Sequence, residues 1–449
     1  MKKRWLVGLL ALFIGCLAGF VACADNHSSG NSGMSSESEG LESSKSEEEN
    51  SGSVSDEKLE ETDVALFTFT LLNNDTYELT KYNGGEAVVV IPSTYENKPV
   101  TTIGEKAFRD CYVLTRVVIP NSVVSIGADA FFSCINLTRI SVGGSLSFIG
   151  EYALSDCPLK EISVAGDNAS YKVVEGNLYT KDGKTLVLYA IGKSNTSFVI
   201  PDGVVAIGNN AFRGAKNLTE IIIPNSVTTI GNAAFYACYM LEEITIPDSV
   251  ILLGDGMYGV FDSCSALRNA TIGNGVTYIS NNAFANCRNL TSVTVGAAVN
   301  GIAENAFSGC SSLTEISVNA ESVYYKAVDG NLYTKDGTVL VQYATGKAAT
   351  VFRIPEGVTT IGKRAFTSCA NLQQVVIPAS VVSIGEEAFF LCAGLTKIVI
   401  PDTVTSVGFS AFRGCNNLNI YCETECAPYG WDSSWNYSNS PVIWGYTGA

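Results

Sequence analysis

Ile103-Gly104-x-x-Ala107-Phe108-x-x-Cys111-x-x-Leu114-x-x-Val117-x-Ile119-Pro120-x-x-Val123 is followed, from Ile126-Gly127, by the same order of residue types, with Phe131 and Cys134 in the matching places. The period is 23 residues. The Ala-Phe step or a variant of it recurs at Phe108, Phe131, Leu154, Phe212, Phe235, Phe261, Phe284, Phe307, Phe366, Phe389 and Phe412, which makes eleven units. A unit this short cannot bury its apolar positions alone, so neighbours must stack into a solenoid. Leu114, Val117 and Ile119 end on the alternation of a short strand, and Pro120 stops it because proline cannot continue a ladder. Stacked units therefore give a parallel ladder, at about 4.8 Å per strand at least about 50 Å long. Opposite it, Phe108 and its equivalents should form one apolar column, for which a short helical turn is one suitable backbone.

The rest of the chain fits around this array. Of 449 residues, 46% are hydrophobic and 16% charged, enough apolar matter for a large interior but too long a chain for one ordinary domain. Lys2, Lys3 and Arg4 precede an apolar run from Trp5 to Ala22, the order of a secretory signal peptide over 1–22. Phe20-Val21-Ala22-Cys23 resembles the lipobox of bacterial lipoproteins, with Phe20 where Leu is usual, and implies lipid attachment at Cys23. Polar Asp25-Asn26-His27 follows Cys23 directly, whereas the apolar run continues past Cys16. An uncleaved apolar anchor is the other reading; either holds the protein at a membrane from outside. Residues 23–62, after that Cys, are Ser- and Glu-rich and are expected to form a disordered tether averaging roughly 35 Å. Residues 63–99 read as an N-terminal β cap, 100–420 as the solenoid and 421–449 as a C-terminal cap.

Units of the form Ile-Gly-x-x-Ala-Phe-x-x-Cys-x-x-Leu-x-x-Ile-x-Ile-Pro-x-Ser-Val resemble the BspA-like leucine-rich-repeat family of bacterial surface proteins. The terminal Gly430-Trp431-Asp432-Ser433-Ser434-Trp435-Asn436 and Val442-Ile443-Trp444 resemble a cap common in such proteins. The resemblance implies a leucine-rich-repeat solenoid at the cell surface and, for several relatives, adhesion to matrix proteins or other cells. It implies no single ligand, because relatives share the scaffold more than the target.

Two stretches interrupt the period. Residues 171–183 recur at 325–337, within insertions near 167–197 and 321–351, and Asp182-Gly183 and Asp336-Gly337 read as type I′ hairpin turns. The hairpins are either spacers between solenoid blocks or protrusions presenting Tyr179 and Tyr333 to a ligand.

Chemistry is poorly supplied. The only histidine is His27, in the polar tract, which leaves His-based catalysis and zinc binding without a residue. No Gly-Lys-Ser/Thr phosphate loop, His-Glu-x-x-His or Gly-x-Ser-x-Gly occurs, so neither an enzyme nor a cofactor is expected. The net charge of −16 argues against a nucleic-acid partner. Ten cysteines, from Cys111 to Cys415, fall in one repeat column that Ala215 also occupies, as a small apolar filler would. Disulfides between rungs stay open, as does a Cys422–Cys426 pair. For binding, the outward strand positions vary while the inward ones repeat: Arg116, Arg139, Glu161, Glu220, Glu243, Asn269, Glu315, Gln374 and Lys397. These expectations describe a non-enzymatic adhesin or capture module for an extracellular protein or glycan. A self-associating structural component without a foreign ligand is the alternative.

Overall fold

The computed structural model describes residues 59–448 apart from Asp255 and Met257. The expected signal peptide, Cys23 and nearly all of the tether lie outside the described residues. What is described is a β-solenoid in which each coil runs through two strands, not one. The first ladder carries the Arg116–Val118, Arg139–Val142 and Glu161–Val164 type of strand, paired parallel and in register from coil to coil. A second parallel ladder is made of two-residue strands such as Ser125–Ile126 and Phe148–Ile149, immediately before the Gly of each Ile-Gly pair. Reading the sequence as one ladder missed it, because two residues are too few to show alternation.

The glycine after the second strand is set by how closely coils approach. A Cβ on Gly127 would stand 2.6 Å from the backbone nitrogen of Glu105 in the preceding coil. Beyond it the Ala-Phe segment is not helical: the only helix among the described residues is the single turn Val64–Leu66. Its N–H groups alternate between two destinations. Ala107, Arg109 and Cys111 donate three residues back within their own coil, whereas Lys106, Phe108 and Asp110 donate to Ala128, Ala130 and Phe132 of the next coil. A helix would direct every N–H along its own axis and leave the coils unjoined. The alternation requires left-handed backbone at Lys106 and Asp110 (φ 58° and 62°), and the second of these positions is mostly Asp, Asn, Ser or Gly along the array.

Inside, the phenylalanines stack as a column. Phe212, Phe235, Phe261 and Phe284 lie 5.0 to 5.1 Å apart with nearly parallel rings. The cysteine column runs beside it, all thiols free, and the S–H of Cys134 donates to the carbonyl of Phe108 at 3.1 Å, a contact repeated up to Cys415 and Phe389. Burial drives the thiols of Cys238, Cys264, Cys287, Cys310 and Cys392 upward in pKa, Cys310 to about 12, as an inert filler requires. Cys422 is buried and Cys426 exposed, and no bond joins them.

The column breaks twice, and the breaks explain the insertions. Tyr82, Tyr189 and Tyr343 each stack on the first phenylalanine of a run, Phe108, Phe212 and Phe366. Each of the three ends or directly follows a hairpin: Phe67–Leu71 with Tyr77–Tyr82, Asn177–Thr180 with Thr185–Leu188, and Asn331–Thr334 with Val339–Gln342. In each the second strand pairs parallel with the second-ladder strand of the following coil. The solenoid is thus three blocks, each opened by a hairpin that covers the first coil. The first ladder accordingly contains fifteen strands, in segments of four, six and five. That exceeds the eleven Ala-Phe units because Val88–Val90, Ser197–Val199, Val351–Arg353 and Val442–Ile443 supply strands without that step. Trp431, Trp435 and Trp444 close the far end, Trp435 edge-on to Phe412.

The hairpin turns also differ from the sequence reading. Left-handed pairs fall at Glu175-Gly176 and Asp329-Gly330, the two-residue loops between directly paired Val174 and Asn177 and between Val328 and Asn331. Those are the type I′ turns. At Asp182-Gly183 and Asp336-Gly337 only the glycine is left-handed, and the bulge in the pairing absorbs the extra residue.

Candidate recognition face

Register gathers nine of the sequence-selected residues into one outward row. Arg116, Arg139 and Glu161 are consecutive partners in the first segment. Glu220, Glu243 and Asn269 follow in the second segment, continuing through Ser292 to Glu315. Gln374 and Lys397 pair in the third. Two residues further along each strand lies a parallel row of Val118, Ser141, Ile222, Thr245, Thr271, Thr294 and Ser317. Because strand side chains alternate, the intervening Val117, Ile140, Ile244 and Val293 all point into the core and are almost fully buried.

The row is electrically graded. Two arginines stand at its N-terminal end, and the Arg139 Nε lies 3.2 Å from the Glu161 carboxylate, an exposed pair of little energetic weight. Four glutamates occupy its middle, with Glu220 and Glu243 direct neighbours. Lys397 lies over the rings of Tyr421 and Tyr446, 4.9 and 5.4 Å from their centres. Regularly spaced side chains on a rigid sheet suit a large partner better than a small one.

Tyr179 and Tyr333 do not belong to this face. Each is 2% exposed and packs in the core, so neither can be offered to a ligand as the protrusion reading expected. Thr185–Leu188 and Val339–Gln342 leave each hairpin no free side: they dock on the next coil, and the inward positions of Asn177–Thr180 and Asn331–Thr334 become interior. What the hairpins share instead is a lock that the sequence reading passed over. Asn177 and Asn331, 1% exposed, accept the backbone N–H of Ala190 and Ala344 at 3.1 and 3.0 Å. Lys193 and Lys347 donate to the same side-chain oxygens and to the carbonyls of Glu175 and Asp329. Burial lowers the pKa of both ammonium groups. The signal was present in the repeated Gly-Asn-Leu-Tyr, whose Asn has no outward role. In the last block the hairpin turn also meets the first ladder, Ile316 donating to the Gly330 carbonyl at 2.9 Å.

The model of the BspA type leucine-rich repeat region matches residues 97–180, 189–314 and 343–425 in six copies, more than half of the chain. This protein belongs to that family, whose members generally stand at the cell surface and are typically not enzymes. Among solved structures, it is similar to a leucine rich cell surface protein from Faecalibacterium prausnitzii, with 28% identity over 86% of this chain and 98% of that one and a TM-score of 0.42. A leucine-rich repeat protein from Bacteroides ovatus is 24% identical over 84% of this chain and 98% of its own, with a TM-score of 0.43. The T. pallidum leucine rich repeat protein is 26% identical over 57% and 91%, with a TM-score of 0.26. A search of curated proteins found no significant match. Among the described residues no helix is long and apolar enough to cross a membrane, and no group of three or more His, Cys, Asp or Glu is placed to hold a metal ion.

Proposed function

We propose that this chain is a cell-surface binding protein, an adhesin or capture module that holds an extracellular protein or glycan on the outward row of its first ladder. The observation that carries this reading is the contrast within each strand. Inward positions are nearly uniform small or branched apolar residues, while the outward row changes from Arg to Glu to Asn to Lys on an invariant spacing. A scaffold that holds geometry constant while its exposed chemistry varies supplies specificity without reorganisation. The graded charge favours a partner of complementary grading, acidic toward Arg116 and basic toward the glutamates.

Immobilised full-length protein screened against matrix proteins and bacterial polysaccharides tests this. A ligand found there should lose at least tenfold in affinity on R116E/R139E, while circular dichroism is unchanged; unchanged affinity would remove the row from the proposal. The same reading places a lipid on Cys23. Metabolic labelling with palmitate should therefore mark the protein and be lost in C23A.

A further inference from the structure

Where the first block meets the second there is a cleft of about 310 Å3, large enough for a small ligand group. Phe148, Glu151 and Leu154 line it from the last coil of one block, Leu188 from the hairpin, and Asn209 and Asn210 from the first coil of the next. Two of these groups can take a further donor, Glu151 because it meets the Tyr152 hydroxyl but no cation, and Asn210 because its side-chain oxygen meets nothing. Glu151 is exposed and takes part in no ion pair among the described residues. Asn210 is only 5% exposed, and its side-chain oxygen is buried without a hydrogen-bond partner. A buried acceptor left unpaired is uncommon in a native interior and marks a place where a donor is missing.

The second junction supplies what the first lacks. Ile302-Ala303-Glu304 corresponds to Ile149-Gly150-Glu151, and Ile361-Gly362-Lys363-Arg364 to Ile207-Gly208-Asn209-Asn210. There Lys363 crosses between blocks, its ammonium 3.0 Å from Glu304 and 3.1 Å from Glu386. Arg364 crosses beside it to Asn305 and also pairs with Glu387. In the first junction Asn209 is turned away, its side-chain oxygen accepting the backbone N–H of Asn232, which stands where Glu386 stands in the other copy. Arg213 also spans the first junction, but it is held 3.5 Å from Asp156 and against the ring of Tyr236. Glu151 therefore keeps the position of an ion-pair acceptor whose ammonium partner has been replaced.

We propose that this cleft binds an alkylammonium group, as carried by a lysine side chain of a partner protein, with Glu151 as counter-ion, the Asn210 oxygen as acceptor and Phe148 and Leu188 flanking the methylene stem. An ammonium presents three donors from a compact head, which matches one carboxylate and one amide oxygen. The cleft is built from the second ladder and the turn segments, so it stands or falls separately from the recognition row.

Calorimetric titration of the full-length protein with Nα-acetyl-lysine methylamide, 1,5-diaminopentane and the neutral Nα-acetyl-norleucine methylamide tests it. The lysine derivative should bind and the norleucine derivative at least tenfold more weakly. E151Q should weaken the lysine derivative at least tenfold, and N209K, which restores the lysine of the second junction, should abolish binding without lowering the melting temperature. Binding of the diamine alone would keep the site and assign it to free polyamines instead of a protein side chain. The proposal is overturned if no ammonium probe binds at up to about 10 mM, if the neutral probe binds equally well, or if E151Q changes nothing.

Discussion

The second and third blocks open with near-identical hairpins and then part company. Asn177 and Asn331, Lys193 and Lys347, and Tyr189 and Tyr343 make the same bonds in both copies. Yet Asn209 and Asn210 in one correspond to Lys363 and Arg364 in the other, and Lys184 corresponds to Thr338. The asparagines and lysines that kept their identity satisfy backbone groups whose positions the stacking fixes, and the tyrosines cap the phenylalanine column. Those that changed stand at an opening between blocks or in solvent, where the demand is looser: Asn209 accepts the N–H of Asn232, whereas Lys363 in its place pairs with carboxylates. Duplication thus preserved the parts that start a solenoid and left the junctions free to become either a clamp or a cleft.

The comparison can be broken most forcefully at the column. Phe212 and Phe366 are both fully buried between a tyrosine and a phenylalanine, so F212A and F366A should each cost about 3–5 kcal/mol. Denaturant titration should find the two losses alike; a large difference would mean that the blocks are not packed equivalently. At the lock, N177A and N331A should each cost about 1–3 kcal/mol, because a buried N–H is orphaned in both copies. A cost in only one copy would show that the other has a substitute acceptor.

The clamp separates the copies. K363N should cost no more than about 1 kcal/mol, since the Lys363 side chain is 35% exposed and solvent screens its two partners. Hydrogen bonding to Glu304 and Glu386 raises the Lys363 pKa. Its contribution is therefore fully present below the ordinary lysine value and fades as pH rises through the raised one. Melting curves of K363N and the parent should converge in alkaline buffer and in high salt.

The smallest effect lies at the hairpin turns. Asp336 accepts from Thr334, from the Thr338 backbone and from the Thr338 hydroxyl, which together hold its pKa at about 2. Asp182 is also lowered but lacks the last donor, because Lys184 replaces threonine. NMR titration should find Asp336 protonating below Asp182. The stabilisation of each depressed carboxylate is present above its unfolded value and lost as pH falls through the folded one, and T338V should narrow the gap.

The sequence was most informative where one residue type answered one environment coil after coil. Phe108 to Phe412 and Cys111 to Cys415 declared the interior, and the alternation of Val117 and Ile119 declared the first ladder and, by subtraction, the row from Arg116 to Lys397. It was least informative where an element is short or a position serves two ends. Ser125–Ile126 is a strand only because its neighbours are, and Tyr179 looks like any hairpin tyrosine until Thr185–Leu188 docks on the next coil. The turn segment resembled a helix because its spacing satisfies both, and only the next coil's carbonyls choose between them.

The period, the apolar columns and the set of outward side chains follow from the chain alone, because a short repeat with one apolar face has only its own copies to bury that face against. Which hairpin residues are interior, where a second ladder forms, and whether a junction is bridged by Lys363 or left open beside Glu151 were decided in three dimensions. Those outcomes depend on contacts between residues more than a full coil apart, and no local pattern records them.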